Sequence, residues 1–174
     1  MTRLPALCFL LALIFGLSGV LRADDEFLRN GDFSRGSSGW KGDRKIQEED
    51  GNKYLYIEAH KDEEQVVRQE KINAKDLEAL VIRFRYRASP DYSGRGVAVR
   101  FVRPSGSSFQ ATLKVKPGGE WESVRGRFRG LRRMDEFTLE LVVLPGEGGI
   151  AFDDISLKPL TAADEEGEDA VEQE

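Results

Sequence analysis

Cysteine is almost absent from this chain of 174 residues. The single thiol, Cys8, lies inside an apolar N-terminal stretch, so the rest of the sequence has no disulfide framework, thiolate metal site or cysteine nucleophile to draw on. Histidine is as scarce. His60 is the only one, and it stands beside Lys61-Asp62-Glu63-Glu64, which reads as an exposed charged turn rather than a base poised against a nucleophile. Positive charge is not in excess: 26 basic residues face 31 acidic ones, and residues 24–160 balance 24 against 24. A neutral centre with an acidic end gives no overall attraction to a phosphate backbone, so nucleic acid is not an expected partner. Helical periodicity is also rare. The only candidate helix is residues 74–80 with Asn73 as its cap, too short to change the fold class.

One long apolar run is present, over residues 4–21, preceded by Arg3 and followed by Arg22-Ala23 and the acidic Asp24-Asp25-Glu26. This three-part layout predicts a secretory signal peptide over residues 1–23, and hence a secreted or periplasmic protein with no stable membrane span once the signal is cleaved. A retained anchor is the alternative, because roughly 18 apolar residues approach the span of a bilayer. Pro5, Gly16, Ser18 and Gly19 weaken that reading. At the other end, residues 161–174 carry seven acids and little that could be buried, which predicts a disordered acidic tail.

Between the two ends one domain is expected over residues 24–160, and from Tyr54 onward it alternates apolar and polar side chains, the pattern of half-buried strands. Leu55, Ile57 and Ala59 oppose Tyr54, Tyr56 and Glu58, while Ile82, Phe84, Tyr86 and Ala88 oppose Val81, Arg83, Arg85 and Arg87. The alternation returns at 97–101, 109–115 and 137–143, and strands are also expected at 64–72, 121–128 and 150–157. Asp50-Gly51-Asn52, Ser89-Pro90-Asp91, Pro104-Ser105-Gly106 and Pro117-Gly118-Gly119 punctuate them as turns. The expected fold is all-β, a jelly-roll β-sandwich of two antiparallel sheets. The glycines at 94–96 and 146–149 precede no helix, so they are turns and not phosphate cradles.

Two stretches resemble the ends of a known family. Leu28-Arg29-Asn30-Gly31-Asp32-Phe33-Ser34 with Gly39-Trp40, and Ile150-Ala151-Phe152-Asp153-Asp154-Ile155-Ser156-Leu157, are similar to the opening and the last strand of the carbohydrate-binding modules attached to xylanases and cellulases. Residues 51–57 and 84–88 resemble internal strands of the same modules. The resemblance implies a galactose-binding-like jelly roll, a polysaccharide or glycan as ligand, and a structural calcium ion held near the chain ends. For that ion, Asp153, Asp32 and Asn52 are the candidate ligands, with Glu26 as a substitute; Ser34 stands where the family places an acid, which removes one hard oxygen ligand. By parity with Ile155 and Leu157, Asp153 is expected to point inward, where a carboxylate needs a partner.

Sugars stack on aromatic rings, which makes Tyr54, Tyr56, Tyr92 and Trp121 the candidate platform, Trp40 and Trp121 being suited to core or edge packing as well. Arg83, Arg85 and Arg87, joined by Arg100, Arg125 and Arg127 if their strands are neighbours, would make a patch for carboxylate or sulfate. An acidic polysaccharide, or the chain's own acidic tail, would fit it. Together these features predict a non-catalytic exported binding module. The alternative is a domain that binds a protein partner in the envelope or extracellular space without sugar.

Overall fold

Strict alternation can be satisfied only where one face of each strand meets a core. The computed structural model describes residues 26–74, 77–131 and 135–165, and in it two five-stranded sheets lie face to face. The first runs β1 (Lys41–Gly42), β4 (Gln65–Asn73), β9 (Glu136–Val143), β6 (Val97–Val102), β7 (Ser108–Leu113). The second runs β2 (Lys45–Glu49), β3 (Asn52–Glu58), β10 (Gly149–Pro159), β5 (Ala79–Ala88), β8 (Glu122–Arg129). Every strand pair in both sheets is antiparallel. Most connections cross from one sheet to the other, which makes the all-β jelly-roll sandwich that the alternation predicts.

The core is built from the expected faces. Leu55, Ile57, Ile82, Phe84, Ile150 and Phe152 from the second sheet meet Val67, Val99, Phe101, Leu139 and Leu141 from the first, all buried. Phe101 stacks on Phe109 at 4.9 Å and meets Phe128 of the opposite sheet edge-on at 4.6 Å. The buried Phe101 and Phe128 rings each contribute about 1.5–3 kcal/mol by leaving water.

The two ends of the sandwich are laced together. Phe27 N–H donates to Leu157 O at 3.0 Å, Ile155 N–H to Gly31 O at 3.0 Å, and Leu157 N–H to the Glu26 carboxylate at 2.8 Å. The buried Gln69 amide clamps Arg29 from both sides, accepting from its N–H at 2.8 Å and donating to its carbonyl at 3.0 Å. Asn30 organises the following loop through Gly36 O, Ser38 O and Arg35 N–H, and the loop carries the buried Phe33 and Trp40 into the core.

Two expectations are corrected. β1 and β2 have no counterpart in the alternation, because β2 is a largely exposed edge strand. No helix forms at 74–80 among its described residues: Leu77 N–H closes a turn on Ala74 O, and the chain enters β5 at Ala79 so that Leu80 joins Ile82 in the core. At the start of the predicted acidic tail the chain forms a short helix, α1 (Ala162–Glu165). The predicted signal segment, residues 1–23, and residues 166–174 lie outside the described residues; among the described ones no helix is long and apolar enough to cross a membrane.

Candidate functional site

The outer face of the second sheet gathers most of the predicted site residues, and its register explains how. Tyr54 and Tyr56 on β3 point away from the core because Leu55 and Ile57 point into it. On β10, Ala151 lies opposite Tyr56 on one side and Arg87 on the other. A side chain this small leaves a hollow of about 250 Å³ above it, flanked by Gln47, Tyr54, Tyr56, Arg87 and Pro90. Tyr56 is half-buried beside it, and burial, with Glu58 and Asp91 nearby, pushes its hydroxyl above the ordinary phenol range. Gly149 makes room for this ring: a Cβ there would sit 2.2 Å from the Tyr56 hydroxyl.

A second hollow of about 420 Å³ lies further along the same face, bounded by Arg83, Arg85, Ser123, Arg125, Asp154 and Ser156. It exists because Ser156 and Ser123 are the short side chains opposite Arg83 and Arg85. Between the hollows runs a stack of cations and rings. The Arg87 guanidinium sits 5.1 Å from the Tyr54 ring centre and 4.8 Å from that of Trp121, and the Arg85 guanidinium lies 5.0 Å from the Trp121 ring centre. Trp121 also meets Tyr54 edge-on at 5.5 Å. These contacts are favourable, at about 0.5–1 kcal/mol each near a surface.

The predicted residues therefore separate. Tyr56, Trp121, Arg83, Arg85 and Arg87 share this face. Tyr54 shares it too, but at 6% exposure its ring supports the stack rather than an open platform, and its hydroxyl donates to Gln47 at 3.1 Å. Tyr92 is corrected outright: it is buried, and its hydroxyl bonds the Gly96 carbonyl at 2.9 Å and the Gly96 N–H at 3.2 Å, which shapes a turn. Arg100 is on the other sheet, paired with Glu64 at 2.7 Å and Glu140 at 3.2 Å. Arg125 and Arg127 do join the patch, on β8 opposite Arg83 and Val81.

Asp153 is buried, but not by the parity that predicts it. The register slips by one residue between Asp153 and Ser156, with Asp154 at φ 50°, so Asp153 pairs with Arg85 and Ser156 with Arg83 while Ile155 still faces the core. Both carboxylate oxygens of Asp153 accept N–H groups, from the Asn52 side chain and the Asp154 backbone, each at 2.8 Å. Asp32 is turned to Ser34, accepting from its N–H and hydroxyl at 3.3 and 3.1 Å. Among the described residues no three His, Cys, Asp or Glu side chains converge as metal ligands. With the Asn52 amide and the Asp154 backbone as donors, both Asp153 oxygens are satisfied without a cation.

Sequence reasoning missed Ala151, Ser123, Ser156 and Asp164. The first three matter by being small opposite large side chains, which only the strand register reveals. Asp164 had a local signal, since Thr161-Ala162-Ala163-Asp164 has the spacing of a capping box. Its hydrogen bonds supply the acidic half of that motif: Asp164 Oδ2 accepts from the Thr161 N–H at 3.0 Å, and from the Thr161 hydroxyl at 2.7 Å.

No family model matches the sequence, and no curated protein matches it significantly. Solved structures do. TmCBM61, solved in complex with β-1,4-galactotriose, aligns over 78% of this chain and 99% of its own at a TM-score of 0.57 and 14% identity. The chain has the fold of a carbohydrate-binding-module jelly roll. A family 16 carbohydrate-binding module aligns over 75% of this chain and 98% of its own at a TM-score of 0.58 and 13% identity. The CBM22-1 xylan-binding domain of Paenibacillus barcinonensis Xyn10C aligns over 79% and 96% at 0.55 and 14%. Parts of larger proteins share the jelly roll: the chain spans 28% of an α-L-arabinofuranosidase, MgGH51, at a TM-score of 0.64, and 21% of tailspike protein 4 of bacteriophage CBA120 at 0.60. At identities of 11 to 14%, what is shared with these carbohydrate-binding-module jelly rolls and enzyme domains is the fold.

Proposed function

We propose that this protein is an exported, non-catalytic glycan-binding module that holds a polysaccharide across the outer face of the second sheet. The observation that carries the reading is the pair of neighbouring hollows on one face, with the Arg87–Trp121–Arg85 stack between them. A chain of sugar rings needs such an arrangement: apolar ring faces rest on Tyr56 and Trp121, while fixed polar groups address the hydroxyls. The arginines extend the reading to an acidic polysaccharide, because guanidinium groups grip carboxylate or sulfate with two parallel bonds. Solved jelly rolls of the same fold include one bound to β-1,4-galactotriose and one that binds xylan, which supports the ligand class. Export rests on the predicted signal segment.

Retention of the protein by neutral and acidic polysaccharides in affinity electrophoresis tests the proposal. Tyr56→Ala and Trp121→Ala are each expected to weaken binding at least about fivefold, as for a central contact residue. Binding through the arginines should also fall steeply with added salt. One observation weighs against the acidic-ligand extension: Arg87 is already paired with Glu49 at 2.7 Å and Arg85 with Asp154 at 3.3 Å, and the alternative is a protein-binding role. No retention by any polysaccharide would select that role.

A further inference from the structure

The start of the acidic C-terminal segment folds back onto the arginine face. Asp164 Oδ1 accepts from Arg83 and, at 2.8 Å, from Arg125, which also reaches the Asp164 carbonyl at 2.6 Å. Thr161 holds the other carboxylate oxygen through the capping box, so the side chain is fixed from both sides and only 11% exposed. Arg83 and Arg125 stand directly opposite each other on β5 and β8. Two like charges in that position repel, and an anion between them removes the repulsion. The same two guanidinium groups bound the larger hollow.

We propose that Arg83 and Arg125 form a carboxylate-binding site that Asp164 occupies as an internal ligand, so that a uronic acid reaches the pair only when the C-terminal segment releases it. The choice of a uronate as ligand rests on the glycan-binding reading above; the internal occupancy does not. Two guanidinium groups converging on one carboxylate select for that group over a hydroxyl. Because Asp164 is tethered, it competes at a high effective concentration, and a free uronate must displace it. The electrostatics agree: burial alone would raise the Asp164 carboxyl, but Thr161, Arg83 and Arg125 outweigh it and hold it down to about 2. Displacement and ligand binding are reciprocal, so whatever loosens the segment strengthens uronate binding by the same factor.

The test follows the arginine side-chain NMR signals of the full chain during titration with D-galacturonate, with its neutral methyl ester as the control. Asp164→Asn keeps the shape and removes the charge, and it is expected to bind galacturonate about tenfold more tightly than the parent. The ester should bind both alike. Thr161→Ala leaves the arginines and the carboxylate in place but loosens the cap, and should give a smaller gain. Equal galacturonate affinity in parent and Asp164→Asn, or no response of Arg83 and Arg125 in either, overturns the inference. Should Asp164→Asn not fold, Thr161→Ala decides alone, and an unchanged affinity in it overturns the inference as well. If uronate binding strengthens as expected while no polysaccharide is retained, the glycan-binding reading fails and the internal carboxylate site stands.

Discussion

Asp153 is the residue on which the ligand face and the core make opposite demands. It is 2% exposed, and burial pushes its carboxyl above the ordinary range, while Asn52 and the Asp154 N–H pull it back. A carboxyl raised in this way binds its proton more tightly in the folded than in the unfolded state. Its ionised form therefore lowers stability as pH rises through the unfolded value toward the folded one. Asn52 limits that loss by donating to the ionised oxygen. Asn52→Ala is expected to cost about 1–3 kcal/mol at neutral pH, the penalty of an unsatisfied buried acceptor. Below about pH 3, where the carboxyl is largely protonated in both states, the cost should shrink. Urea unfolding of parent and variant at the two pH values measures the difference, and an equal cost at both would place the effect outside the carboxylate.

At the scale of the strand, the slip in β10 sets which side chains reach the arginines. By inserting one residue between Asp153 and Ser156, it brings Asp153, Asp154 and Ser156 toward β5 arginines and still returns Ile155 and Leu157 to the core. Asp154 stands at φ 50°, a left-handed conformation that aspartate tolerates and a β-branched residue does not. Asp154→Val should therefore lower stability by about 1–2 kcal/mol. Asp154→Gly should stay within about 0.5 kcal/mol of the parent, because the exposed Arg85 pair it loses contributes little. Chemical denaturation separates the two; equal losses would show that the backbone conformation is not the cause. The same slip marks the limit of what the sequence discloses. Alternation places Leu55, Ile57, Ile82, Phe84, Leu139 and Leu141 in the core, since a period of two needs no knowledge of pairing. It misplaces Asp153, because one extra residue inverts parity and nothing in Asp153-Asp154-Ile155 announces it. Tyr92 misleads for a related reason: a tyrosine after Ser-Pro-Asp reads as exposed, but the turn it supports closes over it. The hollows above Ala151 and Ser156 depend on which residue of a distant strand lies opposite, and that is a property of the sheet.

For the whole molecule, the question is what keeps a sandwich closed when its first and last segments must meet without a disulfide. The answer lies in backbone contact. Gly31 carries it: its carbonyl receives the Ile155 N–H, and a Cβ on it would stand 1.8 Å from the Ile155 carbonyl oxygen. Any side chain must force the opening segment away from β10, breaking the bonds of Phe27 and Leu157 along with its own and loosening the Gln69 clamp. Gly31→Ala should cost about 1–3 kcal/mol, the range for a side chain forced into a filled site. Because the Asp153 oxygens are taken up by N–H donors, neither added calcium nor a chelator should move the melting temperature of the parent. A calcium-dependent rise, which mass action would impose if the folded state bound the ion, would mean that an ion ties the ends instead. Gly31→Ala sharpens the comparison: if backbone contact closes the sandwich, its lost stability is not restored by calcium, whereas recovery in calcium would show that the ends are joined through a metal site that the backbone only supports.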